Sequence, residues 1–198
     1  KEVNWKQPYG KESTIDTILD HPVIHVSWDD AVAYCKWKGR RLPTEAEYEY
    51  AMRSGNSNTT YTWGNQSIDT GVQKANVWQG DFPSNNMVLD DFYYTSPVKS
   101  FGDNDFGLYD ISGNVWEWCS DLYHSDYYST ISNKVANNPK GPTKSFDPND
   151  PFSSKRVMRG GSFLCNDSYC SGFRNSMRMK STPDSSSQHV GFRTVLDL

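Results

Sequence analysis

The stretch His25–Gly55, HVSWDDAVAYCKWKGRRLPTEAEYEYAMRSG, contains two helix starts within twenty residues. Ser27 with Asp30, and Thr44 with Glu47, each place a short hydroxyl side chain three residues before a carboxylate. Such a pair can satisfy the free N–H groups of a first helical turn. Trp28, Val32 and Cys35 then recur at helical spacing, so the first helix has one apolar face, and Gly39 supplies its stop. The second helix is expected to run from Thr44 to about Gly55. On this pattern Cys35 is a small buried hydrophobe.

Beyond Gly55 the helical period is lost. YTWGNQ, TSPVKSF, RVMRGGSF and VGFRTVLDL read as short strands or turns punctuated by Gly, Pro and Asn. Residues 123–154 are rich in Ser, Asn, Asp and Pro and are expected to form a surface excursion. There is no internal repeat. The class is α+β with little regular structure, organised as one domain over residues 1–198.

Composition narrows the functions. The 198 residues include seven Trp and twelve Tyr, and 14% of the chain is aromatic. Mean hydropathy is nevertheless -0.77, so the core is expected to be built from rings among polar loops; a disordered chain would lack them. A net charge of -4 gives no basic footprint, so no nucleic-acid partner is expected. No apolar run approaches the ~20 residues of a membrane span. Four cysteines are too few for a disulfide scaffold and do not demand an oxidising compartment; a bacterial cytoplasm and a periplasmic or secreted location both fit.

The cysteines of SFLCNDSYCSGFR, Cys165 and Cys170, lie five residues apart. A local disulfide would close so short a loop that it constrains little chain entropy. Tetrahedral zinc would want four N or S ligands, and no His is near in sequence. Two thiolates suit a soft ion of low coordination number, copper(I) being the natural candidate. Two further segments offer oxygen ligands. Asp110, Gly113, Val115 and Glu117 can present two carboxylates and two main-chain carbonyls; Asn76 and Asp90 with the carbonyls of Val77 and Phe92 form a second set. The residues alone allow either cation sites or acidic turns on a solvated surface. His21, His25, His124 and His189 show no two-His-one-carboxylate pattern for iron.

In order, HPVIHVSWDDAVAYCKWKGRRLPTEAEYEYA, YTWGN, ANVWQGDFP, GLYDISGNVWEW, RGGSFLCNDSYC and TPDSSSQHVGFR closely resemble the formylglycine-generating enzyme family, the sulfatase-modifying factors. The resemblance runs from about Val3 to the end and is weakest over residues 123–154, a loop insertion. The family's opening Pro-Gly-Gly-x-Phe-x-Met-Gly strand is missing, so the family's N-terminal part is expected to be absent here. The resemblance implies a C-type-lectin-like fold: two helices around a small twisted antiparallel sheet, with long loops.

It also implies a monomeric oxidase that converts a cysteine of an unfolded, sulfatase-type polypeptide to Cα-formylglycine with O2. Copper(I) would sit on Cys165 and Cys170, with Cys170 the deeper ligand and Cys165 the more exposed. Two calcium ions would be structural, one on each oxygen set. Ser162 would hydrogen-bond an oxygen species or a water, or else merely sit in its Gly-Gly bend. Trp116 would wall the pocket or simply pack. Tyr169 and Arg178 match substrate-contacting positions, Arg178 alternatively forming a structural ion pair. Asn166 and Asp167 stand where sulfatase-directed members often carry His and Arg, and His189 replaces a usual Asn; these departures bear on peptide preference. Met52, Asn175 and Thr194 occupy disulfide positions of secreted animal relatives. Two other outcomes fit the same fold: a silent binding or assembly module, and an oxidase for a non-sulfatase target.

Overall fold

The computed structural model describes residues 3–132 and 135–197. Helix α1 spans Trp28–Trp37 and α2 spans Glu45–Met52. Both open with a complete capping box, Ser27 with Asp30 and Thr44 with Glu47, so the local chemistry sets both starts. Gly39 takes φ +63° just past α1. Helix α2 stops three residues short of the Gly55 expected from sequence, because Ser54 and Gly55 both turn left-handed, at φ +49° and +75°.

Four strands follow: β1 Trp116–Leu122, β2 Arg156–Arg159, β3 Met179–Ser181 and β4 Val190–Gly191. They form one sheet in the order β3-β2-β1-β4. The antiparallel expectation holds for β1–β2 and β2–β3; the two-residue β4 instead joins β1 in parallel. A short helix α3, Tyr127–Ile131, lies in the segment expected to be a loop. Lys155 ties that segment to the body through Asp147, at 2.7 Å.

Strand alternation divides the core. Trp116 and Trp118 of β1 join Met158 of β2, Ala31 and Cys35 of α1, Phe173 and Cys165 in one cluster. Cys119 and Val157 point the other way, onto Tyr48 and Met52 of α2. Between α2 and the sheet, Arg159 is fully buried and pairs with Glu45 at 3.1 Å and Glu49 at 2.7 Å. No helix among the described residues is long and apolar enough to cross a membrane.

Candidate active site and cation sites

The cysteine pair sits on a loop leaving β2 through Gly160 and Gly161. Gly161 holds φ +80°, and a Cβ there would fall 2.6 Å from the Gly172 carbonyl carbon and the Phe173 nitrogen. The bend therefore lets two backbone segments touch. The Cys165 N–H donates to the Ser162 carbonyl at 2.8 Å, and the Cys165 carbonyl accepts from Trp78 N–H at 2.9 Å. The Asn166 carbonyl accepts the N–H groups of Tyr169, Cys170 and Ser171, closing the turn that returns Cys170 towards Cys165. The Asn166 side chain donates to the carbonyls of Trp78 and Gly80. Asn166 is thus a brace of the loop.

All four cysteines are free thiols. Cys165 is 1% exposed, whereas Cys170 is half-buried. The order of depth is the reverse of that implied by the resemblance. Cys165 packs in one cluster with Trp116, and Gly172 lies close against both. A Cβ at Gly172 would meet Trp116 Cζ2 at 2.5 Å and Cys165 Sγ at 2.6 Å. The neighbouring Cys165 thiol holds the Cys170 thiol down at about 7, against the opposing effect of burial. Burial, then the Cys170 partner, pushes Cys165 well up. Near neutral pH Cys170 is therefore partly ionised, while Cys165 keeps its proton. Among the described residues no group of three His, Cys, Asp or Glu side chains gathers as a metal cluster. A lone pair of sulfurs matches a soft ion of low coordination number.

Ser162, Trp116 and His189 are brought to the same place. The Ser162 N–H points at Cys165 Sγ at 3.4 Å, and Ser162 Oγ lies 3.8 Å from that sulfur and 3.1 Å from His189 Nδ1. Burial lowers the His189 pKa, which keeps the ring neutral. Trp116 and His189 also line a cleft of about 240 Å³ with Met158, Met179 and Ser187. Tyr169 is exposed and stacks on Phe82, with ring centroids 4.4 Å apart at 19°. Arg178 is not part of this group. Its fork grips Glu45 at 2.6 and 2.8 Å, and it donates to the His124 carbonyl at 3.1 Å.

The oxygen sets differ from each other. In the first, Asn76 Oδ1 is buried without a partner, while its Nδ2 donates to the Tyr94 carbonyl. The Asp90 carboxylate accepts from Val77 N–H, Phe92 N–H and Gln79 Nε2, and Gln79 also touches the Val77 carbonyl. Burial raises the Asp90 pKa. An orphaned acceptor beside a buried carboxylate fits a hard cation. In the second set, Arg193 grips both oxygens of Glu117. Lys99 N–H donates to Asp110 at 2.7 Å. The carboxylates of that set already have protein partners. Gly113 links the two sets: a Cβ there would lie 2.6 Å from the Asn76 carbonyl.

The family model for the sulfatase-modifying factor enzyme 1-like domain matches residues 1–198. The chain belongs to that family. It is 46% identical over 193 residues to a formylglycine-generating enzyme of Thermomonospora curvata, covering 98% of this chain and 61% of that one. It is 47% identical to the formylglycine-generating enzyme of Bos taurus, covering all of this chain and 50% of that one. An inactive Cα-formylglycine-generating enzyme 2 of Bos taurus is 40% identical, over 96% of this chain and 54% of its own length. The chain thus spans about half to three fifths of these relatives. Among solved structures, the Treponema denticola variable protein 1 shares the fold with a TM-score of 0.67 at 22% identity, over 97% of this chain and 77% of that one.

Family membership leaves the local chemistry to this chain's own residues. The four histidines sit on separate partners: His21 on Thr95, His25 on the Pro8 carbonyl, His124 on Asp126 N–H and His189 on Ser162. Sequence reasoning missed Phe82, Gly172 and Gln79. Gly172, two residues beyond Cys170, carried a signal, since a glycine beside a buried group marks close approach. Phe82 and Gln79 carried none, because only the fold brings them to Tyr169 and Asp90.

Proposed function

We propose that the chain oxidises a cysteine of a sulfatase-type polypeptide to Cα-formylglycine with O2, using copper(I) held by Cys165 and Cys170. The observation that carries this is the free thiol pair: Cys165 buried and Cys170 half-buried, with the Cys170 thiol held down at about 7. Bound copper(I) would supply the one-electron and O2 chemistry that side chains lack. The protein's part is geometric. Trp116 seals the inner side against water. Ser162 addresses the buried sulfur, and the Asn166 brace fixes the turn between the two ligands. Tyr169 on Phe82 gives a flat apolar mouth for the substrate chain.

Calcium is proposed at the first oxygen set on the strength of the orphaned Asn76 Oδ1. At the second set a cation would have to share Glu117 with Arg193. The role in both would be to pin loops that lack secondary structure.

The test is a copper(I) titration against a chelator with the reduced protein, Cys165→Ala and Cys170→Ala. It is followed by mass spectrometry on cysteine peptides with and without a Cys-x-Pro-x-Arg core. Thiol-dependent uptake and aldehyde formation favouring that core are expected. Absence of uptake leaves a binding module, and uptake with no preference for the core points to a different target.

A further inference from the structure

Resting on the calcium reading of the first oxygen set, we propose that the Gln79 side chain is a competing donor within that set: its amide nitrogen holds the Val77 carbonyl and the Asp90 carboxylate, and a divalent cation binds them only by displacing it. Gln79 is 4% exposed. Its Nε2 donates to Asp90 Oδ2 at 2.7 Å and to the Val77 carbonyl, so both hydrogens of the amide are used. Its Oε1 accepts Leu89 N–H at 3.0 Å. Turning the amide over would set its oxygen against the Val77 carbonyl and its N–H against the Leu89 N–H. Both neighbours are main-chain groups whose donor and acceptor roles do not change with pH, so the contacts allow one orientation.

An atom within hydrogen-bond distance of both oxygens stands where an ion shared by them would stand, since calcium takes its oxygen ligands at about 2.3–2.6 Å. Asn76 Oδ1 is not among the amide's partners and stays buried without one. Gln79 therefore satisfies only part of the set. Its displacement asks little of the fold. The Gln79 main chain is tied separately, its N–H to Asn86 Oδ1 at 3.3 Å and its carbonyl to Met87 N–H at 2.8 Å. The side chain can turn while the backbone holds. Asp90 and Phe92 line a cleft of about 690 Å³, which gives an ion a way in. Parting the amide from a buried carboxylate is unfavourable, and that cost is subtracted from the ion's binding. Gln79 thus weakens calcium binding and steadies the same loops without it.

Calcium itself is the probe, titrated calorimetrically into protein stripped by a chelator. The binding event assigned to this set is the one that Asp90→Asn removes. Gln79→Met keeps the length of the side chain without a donor, and Gln79→Ala removes it altogether. Each should bind calcium about tenfold more tightly than the wild type, the contribution of one hydrogen bond to a charged group. In the chelator each should melt below the wild type, and the gap should narrow in excess calcium. Unchanged affinity would make Gln79 a bystander, and weaker binding would make it a ligand. Either result, or an equal loss of stability with and without calcium, overturns the proposal and leaves calcium at the set. Binding that appears in the Gln79 variants alone supports it. If neither the wild type nor the variants bind calcium through Asp90, the calcium reading falls and this proposal falls with it.

Discussion

Gly172→Ala tests the packing of the thiol site most directly. The glycine holds no left-handed φ, so the substitution adds a methyl group without backbone strain. That methyl would lie 2.5 and 2.7 Å from two carbons of the Trp116 ring and 2.6 Å from Cys165 Sγ. Neither neighbour is the loose end of a flexible chain. Trp116 is 1% exposed and its strand is paired on both sides, while Cys165 is bonded through its own N–H and carbonyl. Overpacking a closed core typically costs 1–3 kcal/mol, and three overlaps at once put this case at about 3 kcal/mol. For a chain of this size that is a fall of about 6–12 °C in melting temperature. Circular dichroism of the reduced, metal-free protein measures it. Gly102→Ala is the control, since Gly102 has no atom within 4 Å of its Cβ position and no positive φ; it should shift stability by less than about 0.5 kcal/mol. Equal melting temperatures for the two variants would refute the close approach of Trp116, Cys165 and Gly172.

Three further outcomes are expected. Alkylation of the metal-free protein, followed by peptide mapping, should modify Cys170 with a midpoint near pH 7 because the thiolate forms as pH rises through about 7. Cys165, Cys35 and Cys119 should react far more slowly, and in Cys165→Ala the Cys170 midpoint should move up towards about 8.5. Calcium at about 100 times its dissociation constant should raise stability by about 2.7 kcal/mol, read as a melting shift that a chelator reverses; Asp90→Asn should abolish most of it. Glu45→Gln should cost about 3 kcal/mol by chemical denaturation, because it removes the carboxylate shared by Arg159 and Arg178. A loss no larger than that of a surface Glu→Gln change would show that Glu49 alone suffices for Arg159.

What could be read from sequence was what depends on a few consecutive residues. Both helix starts were legible in Ser27, Asp30, Thr44 and Glu47, since each capping box closes within four residues. The VGFRTVLDL segment read as a strand or turn does hold strand β4, but its parallel pairing was not legible, because it joins Val190 to Trp116 across most of the C-terminal half. Helix α3 was missed because Tyr127–Ile131 is too short to show a period, buries no residue and has no side-chain capping bond from Asp126. The candidate thiols were legible as a pair, but their depth was not. Spacing says nothing about which sulfur faces Trp116, and that depends on how the Gly160–Gly161 bend aims the loop. Arg178 looked available for substrate because its partner, Glu45, lies 133 residues away in sequence.

The inequality of the two sulfurs follows from their surroundings and bears on how such a site can work. Burying both would carry a thiolate into a medium that disfavours charge, and both would stay protonated. Exposing both would leave neither held nor shielded from water. Here burial keeps the Cys165 thiol protonated, and that thiol beside Cys170 holds the Cys170 pKa down where the loop opens. A soft ion arriving from solvent would therefore meet the more exposed and more readily ionised Cys170 first and the buried Cys165 second. The rigid partner sets the geometry while the accessible one sets the rate of capture, so replacing Cys170 should slow uptake more than replacing Cys165, whose loss should instead shorten the ion's residence. Stopped-flow uptake and chelator-driven release of silver(I) by the two single variants separate these effects, and matching kinetics for both would remove the distinction.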